Sequence, residues 1–198
     1  MTTKERVQRM HAKKEADRVP ITDSPWAGTI SRWKREGMPA DADWREFFDI
    51  DKFQMFNIDV SPQYPRKTIE DTDDYTIVET EYGVRMKHLK GEDSTPEFLD
   101  YTISDRKKWD AAKARINHDP ARINWDYLNT NLPMWNAEGR WIDAVFWFGF
   151  DVSHSWMCGI ETILIAMIEE PEWIEDMFHT MVEANIALYD QSLYHNAP

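Results

Sequence analysis

The sequence predicts an α/β fold that forms the N-terminal part of a (β/α)8 TIM barrel. Three short apolar runs, at about residues 19–22, 53–60 and 141–148, are candidate inner strands, and each is followed by a helix or by an excursion. The last run leads at once into a glycine and an amphipathic helix, which is the repeating unit of such folds. A closed barrel takes about 250 residues. The 198 residues of this chain therefore predict a single, incomplete and truncated barrel domain over residues 1–198.

The composition limits the class of partner and the compartment. A net charge of −13 argues against a nucleic acid or an anionic membrane as partner. The single cysteine excludes an internal disulfide and fits a reducing compartment. No apolar run approaches the length of about 20 residues that a membrane span needs, and the N-terminus lacks the apolar core of a signal peptide. These features predict a cytoplasmic protein.

The first sixty residues carry local signals for helices and for two of the strands. Thr2 and Glu5 have the spacing of a capping box, and Gly37 follows a short helical pattern as a stop signal. Pro20 places the first candidate strand at a strand start or at a sheet edge. We expect helices over residues 2–14, 29–36 and 43–48, and strands over 19–22 and 53–60.

The middle of the chain predicts an excursion from the barrel. Alternating segments between residues 64 and 90 meet at Glu81-Tyr82-Gly83, which favours an antiparallel hairpin. Ser104 is the expected N-cap of a helix that reaches Ile116. A weaker helix over residues 124–137 is expected to be interrupted by Pro133.

Residues 141–170 organise the rest of the chain. Gly149 ends the apolar run, and Asp151 or Ser153 is the expected cap of the helix that follows. That helix carries an apolar stripe, and Pro171 opens a final helix that runs to about Tyr194. In such folds ligands bind where strands end and helices begin, so we expect the site between Phe148 and Cys158.

Several segments resemble the uroporphyrinogen decarboxylase family, whose superfamily includes corrinoid-dependent methyltransferases. Lys4-Glu5-Arg6-Val7 followed by Asp17-Arg18-Val19-Pro20 resembles the family's opening, and residues 149–157 resemble its GPWTLATYM turn and helix. Residues 169–174 are similar to its DDPELV pattern, while residues 95–100 and the surroundings of Arg32 look like the decarboxylase-like branch. The similarity spans nearly the whole chain.

The resemblance implies a (β/α)8 barrel with its site at the C-terminal mouth, and a tendency to form homodimers. The implied activity is that of a carbon–carboxyl lyase acting on a tetrapyrrole or a small organic acid. The family's RQAGRY segment, whose arginines hold substrate carboxylates, is absent from residues 23–32, where Arg32 is the remaining candidate together with Arg35. The family's active-site tyrosine falls on Trp156, and Asp59 corresponds to an active-site aspartate at the end of the second strand.

We therefore expect Asp59 and His154 to be catalytic. Asp59 follows an apolar run, where a carboxylate would orient substrate, although a turn carboxylate bonded to nearby backbone is an equal alternative. His154 stands in the first turn of a helix near the expected mouth, suited to proton transfer, with a structural role as its alternative. The expected substrate-binding residues are Asp23, Trp26, Arg32 and Trp156, although Arg32 also fits a solvated helix face and both tryptophans also fit core packing.

No metal site is expected in this portion of the chain. His154, Cys158 and Glu161 are spaced along one helix face, but a solitary cysteine among apolar residues is usually a packing residue. Two alternatives to the decarboxylase-like enzyme stay open. A corrinoid-dependent methyltransferase would require zinc, a corrinoid and a corrinoid protein as partner, whereas a catalytically silent binding module or inactive fragment would require none of them.

Overall fold

The computed structural model describes residues 1–91, 94–145 and 147–194, the side chains of residues 193 and 194 excepted. The chain is a mixed α/β protein that divides into two compact units. Unit 1 comprises Met1–Asn57 and Asn124–Val145, and unit 2 comprises Ile58–Ile123 and Phe146–Pro198. The described residues form one two-stranded parallel sheet and one four-stranded antiparallel sheet, and they do not close a barrel.

The elements are short except for the last helix. The strands are β1 (Phe53–Asn57), β2 (Lys67–Asp71), β3 (Tyr75–Glu79), β4 (Val84–Leu89), β5 (Glu97–Tyr101) and β6 (Trp141–Val145). The helices are α1 (Thr3–His11), α2 (Ala27–Arg35), α3 (Trp44–Phe47), α4 (Arg106–Lys113), α5 (Trp125–Ala137), α6 (Phe150–Val152), α7 (Ile160–Glu169) and α8 (Pro171–Tyr194), with a 3-10 turn at Pro120–Arg122 and a π turn at Ser153–Met157. Among the described residues, no helix combines the length and the apolar character that crossing a membrane would take.

Unit 1 contains the predicted parallel pairing between an early and a late apolar run. Strands β1 and β6 run parallel, with Phe53 opposite Trp141 and Asn57 opposite Val145. Helix α5 packs against β6, so β1, α5 and β6 form a βαβ arrangement. Both strands are shorter than predicted, because pairing ends at Asn57 and Val145 rather than at residues 60 and 148.

The first candidate strand, at residues 19–22, is not a strand, so this prediction is wrong. Pro20 has no N–H group to donate to a neighbouring strand. The N–H group of Ile21 donates instead to the carboxylate of Asp51, at 2.8 Å. The buried carboxylate of Asp51 therefore accepts the hydrogen bond that a backbone carbonyl of a neighbouring strand would otherwise accept.

Asp51 organises the N-terminal segment of unit 1. Its buried carboxylate accepts hydrogen bonds from the Thr3 hydroxyl at 3.0 Å and from the Arg18 guanidinium at 2.6 Å, and it also pairs with Arg6. Burial by itself would raise the pKa of Asp51, but the hydrogen bonds from Ile21, Arg18 and Thr3 outweigh it and lower that pKa. The carboxylate is thus ionised and fully bonded, which ties α1 to the residues that precede β1.

Unit 2 contains the predicted excursion in an enlarged form. The hairpin expected between residues 64 and 90 is present as β3 and β4, and β2 and β5 extend it to a sheet of order β2-β3-β4-β5. Strand β5 was not predicted. Residues 97–101 lack the apolar alternation that identifies a half-buried strand, and their side chains are mostly exposed in the structure.

Two further helix predictions need correction. Helix α4 is capped by Asp105, whose carboxylate accepts from the Lys108 N–H group at 2.9 Å, and not by Ser104. Helix α5 runs through Pro133 without ending. The final helix begins at Pro171, as predicted, and is described as far as Tyr194.

Residues 149–169 do not form one continuous helix. Neither Asp151 nor Ser153 caps it, because the N-cap is Gly149 and no side chain bonds there. The short helix α6 passes into the π turn and then breaks at Gly159, where φ is +83°, before α7 begins. The predicted apolar stripe is split accordingly, since Val152 and Ile163 are buried while Ile160 and Ile168 are exposed.

Candidate functional site

Unit 2 contains an open groove of about 680 Å³ in the segment where the sequence predicts the site. One wall comes from β5, a second from the π turn, and the third from the first turn of α7. The residues that line it are Phe98, Tyr101, His154, Ser155, Cys158, Gly159, Ile160, Glu161 and Thr162. Its volume lies in the range typical of small-molecule sites.

The π turn gives the groove its shape. The Cys158 N–H group donates to the Ser153 carbonyl at 2.8 Å, which closes a turn wider than that of an α-helix. Such wide turns occur frequently at functional sites. Gly159 ends the turn, and a Cβ atom at this position would lie 2.7 Å from Cε2 of Tyr101. A glycine is therefore needed both for the positive φ and for the close approach of the tyrosine ring.

His154 is the ionisable group of the π turn. Its Nδ1 atom lies 2.9 Å from the Ser155 hydroxyl, and its ring centroid lies 4.8 Å from that of Phe150. The Nε2 atom is 3.6 Å from a carboxylate oxygen of Asp151, which is an ion-pair distance and too long for a hydrogen bond. The imidazole is half-buried and lines the groove, so it is placed to exchange a proton with a bound molecule.

Trp156 packs behind the groove wall instead of lining the groove. Its ring centroid lies 5.1 Å from that of Trp147, 6.3 Å from that of Tyr82 and 6.2 Å from that of Phe98. The indole therefore supports Phe98, which does line the groove. Burial, together with the carboxylates of Asp59 and Glu81, raises the pKa of Tyr82, so this phenol stays protonated within the aromatic cluster.

Cys158 is a packing residue. Its side chain is buried, its sulfur lies 4.0 Å from the Met177 sulfur, and burial raises the pKa of the thiol to about 12. A protonated thiol is a poor nucleophile and a poor metal ligand. The break at Gly159 also separates Cys158 from Glu161, and within the described ranges no three His, Cys, Asp or Glu side chains gather as a metal site.

Asp59 is in unit 2 but does not line the groove. One carboxylate oxygen accepts from the Ser61 N–H group at 2.9 Å, and the other accepts from the Gln63 side chain at 2.9 Å. These are the bonds expected of a turn carboxylate, which the sequence leaves open beside a catalytic role. The negative charge of Asp59 contributes to the raised pKa of Tyr82, which belongs to the aromatic cluster.

Arg122 holds the Asp59 turn in place, a role that sequence reasoning missed. Its buried guanidinium donates to the carbonyl groups of Asp59, Ser61 and Arg115 at 2.7 to 3.0 Å, and to the Asn117 side chain. It also lies 3.8 Å from the Asp59 carboxylate. Burial lowers the pKa of Arg122, and the nearby Asp59 charge opposes that effect. Nothing in the local sequence distinguishes this arginine from a surface residue.

The other three predicted substrate-binding residues lie in unit 1. Arg32 is exposed and bonds Glu36 of the following turn at 2.7 Å, which is the solvated arrangement left open above. Trp26 is 54% exposed and directly precedes α2. Asp23 accepts from the Ser24 N–H group and lines a polar cleft of about 480 Å³ that also contains Lys52 and Arg140. Neither Arg32 nor Trp26 is among the described residues that line the groove.

The cleft around Asp23 is the weaker candidate. Lys52 and Arg140 directly precede β1 and β6, so the cleft lies at the end where these parallel strands begin. Ligands of open parallel sheets bind at the opposite, carboxyl end. Two of its three cationic side chains also have carboxylate partners, since Lys52 bonds Glu46 at 3.2 Å and Arg140 bonds Glu138 at 2.6 Å.

No family model, curated protein or solved structure matches the chain.

Proposed function

We propose that the chain is the N-terminal part of a uroporphyrinogen-decarboxylase-like (β/α)8 barrel enzyme. The observation that carries the proposal is the parallel register of β1 with β6, which is the pairing expected of neighbouring strands in such a barrel. Two of the three walls of the groove come from the segment that follows β6 in the sequence, and residues 149–157 of that segment resemble the family's turn and helix. In an enzyme of this class the function would be that of a carbon–carboxyl lyase.

The groove favours a small organic acid over a tetrapyrrole. A tetrapyrrole with several carboxylates needs several cations, and no lysine or arginine is among the described residues that line the groove. His154 and Ser155 together offer hydrogen bonds to one carboxylate or to one hydroxyl group.

His154 is the proposed proton donor of the reaction. When the bond between the substrate carbon and its carboxylate breaks, CO2 leaves and the bonding electrons remain on that carbon. The imidazolium then supplies the proton that completes the product, and a proton from solvent restores the imidazolium. Trp156 is a positioning residue, because its ring supports Phe98, which lines the groove.

Methyl transfer is the second candidate. The lack of lysine and arginine in the described groove lining suits a methyl donor that is not an anion. Zinc and a corrinoid supply that chemistry when bound, and here both would have to be brought by residues outside the groove or by a corrinoid protein partner.

The decisive experiment measures release of labelled CO2 from a panel of small acids that carry ¹³C in the carboxyl group. We expect turnover of one acid, and a loss of about a hundredfold or more in kcat for His154→Gln, as is usual for a lost general acid. His88→Gln on β4 is the matched control, because His88 is exposed and lies outside the groove lining, and it should keep full activity. Methylation of added cob(I)alamin by a methylated donor, without CO2 release, would favour the second candidate. Neither reaction would favour the silent binding module.

A further inference from the structure

Two aromatic rings line one side of the groove, and a third packs behind one of them. The rings of Phe98 and Tyr101 are nearly parallel, with planes 8° apart and centroids 6.5 Å apart. The ring of Trp156 stands at 83° to that of Phe98 and supports it from behind. The faces of aromatic rings carry partial negative charge and attract organic cations.

A carboxylate without a partner lines the same groove. Glu161 is exposed in the first turn of α7, where its negative charge is favoured by the start of the helix. Among the described residues it forms no hydrogen bond and no ion pair. Many acidic side chains of this chain are paired, such as Asp176 with Lys113 at 2.5 Å and Asp71 with Lys90 at 2.6 Å. Glu161 thus leaves its charge available to a bound molecule.

The charge of the groove and of the whole chain also favours a bound cation. Its described lining contains no lysine or arginine, and the whole chain carries a net charge of −13. Such a field raises the local concentration of cations. His154 and Ser155 lie on the π-turn wall, where they can bond an oxygen atom at the other end of the molecule.

We propose that the groove binds a small organic cation of the quaternary ammonium class, with its alkylated nitrogen against Phe98 and Tyr101 and near the Glu161 carboxylate. An acid of this class would be a zwitterion whose carboxylate faces His154. Its identification as the substrate rests on the proposed function, whereas its binding can be measured without any turnover.

The test compares choline with its neutral carbon isostere, 3,3-dimethylbutan-1-ol, by isothermal titration on the intact chain. The two probes have the same shape and hydroxyl group and differ only in charge. We expect choline to bind about tenfold more tightly than the isostere, because a cation on aromatic faces gains that much over a neutral group. Equal affinities would overturn the proposal.

Two substitutions locate the site. Glu161→Gln should weaken choline about threefold and leave the isostere unchanged, as expected for an exposed charge pair. Glu169→Gln is the matched control, because Glu169 is exposed at the far end of α7 and outside the groove lining, and it should leave both affinities unchanged. Choline affinity that is insensitive to Glu161→Gln would refute the assigned site. Selective choline binding without CO2 release would retain this inference and reject the lyase, whereas CO2 release from an acid with no cationic group and no choline binding would do the reverse.

Discussion

Gly159 shows how one residue sets the shape of the groove. Its φ of +83° lies in the region that other residues rarely adopt, and its missing side chain lets the Tyr101 ring approach. The same residue breaks the helix that the sequence pattern predicts to be continuous. A backbone constraint and a packing constraint therefore act at the same position.

Replacing Gly159 by alanine should lower the free energy of unfolding by about 2 to 3 kcal/mol, because strain at a positive φ adds to the clash with Tyr101. Chemical denaturation of the two proteins measures the difference. Gly91→Ala is the matched control, since Gly91 has a φ of +78° and no described residue lies within 4 Å of a Cβ atom there. The control should cost about 1 kcal/mol. Equal losses in the two variants would mean that the contact with Tyr101 has no energetic weight.

The sequence identified individual site residues only in part. It directed attention to the segment of His154, which lines the groove, because a glycine after an apolar run marks the start of a βα turn. It missed Tyr101 and Arg122, because their roles come from residues far away in the chain: Gly159 for the tyrosine, and the Asp59 turn for the arginine. The sequence shows which residues carry carboxylates and aromatic rings, but it does not show which distant residues they contact in the fold.

At the scale of elements, the N-cap residue of α4 in the structure differs from the one that the sequence predicts. Asp105 accepts from the Lys108 N–H group, whereas the Ser104 hydroxyl bonds only side chains. We expect Asp105→Ala to lower the free energy of unfolding by about 1 kcal/mol, as is typical of a lost N-cap.

The neighbouring variant Ser104→Ala should change that free energy by less than about 0.5 kcal/mol, because it removes only surface contacts. Thermal or urea unfolding of both variants tests the pair of predictions. A larger loss for Ser104→Ala than for Asp105→Ala would show that the cap is Ser104 after all.

Elements with strong local signals were predicted well. The capping box of α1, the hairpin of β3 and β4, and the start of α8 at Pro171 are all confirmed, because each depends on residues adjacent in the chain. The failures have a tertiary cause. In residues 19–22 the Ile21 N–H group bonds the Asp51 carboxylate instead of a neighbouring strand. Strand β5 forms because its backbone pairs with β4. Neither event leaves a periodic pattern in the sequence.

At the scale of the whole molecule, the proposed enzyme depends on how the two apolar runs pair. A (β/α)8 barrel requires β1 and β6 to run parallel, whereas an antiparallel pair would belong to a different architecture. The four-stranded antiparallel sheet of unit 2 is compatible with either, since it is an excursion between the two strands in the sequence. The barrel proposal therefore depends on the register of five residue pairs.

Engineered disulfides test the register of β1 with β6 directly. In the parallel register Asn57 lies opposite Val145, so cysteines at these two positions should form a disulfide on mild oxidation. Cysteines at positions 53 and 145 lie at opposite ends of the pair and should stay reduced, with buried Cys158 present in both variants. Mass spectrometry of the oxidised proteins distinguishes the two outcomes. Cross-linking of 57 with 145 and not of 53 with 145 is the result we predict, and the reverse pattern would contradict the barrel.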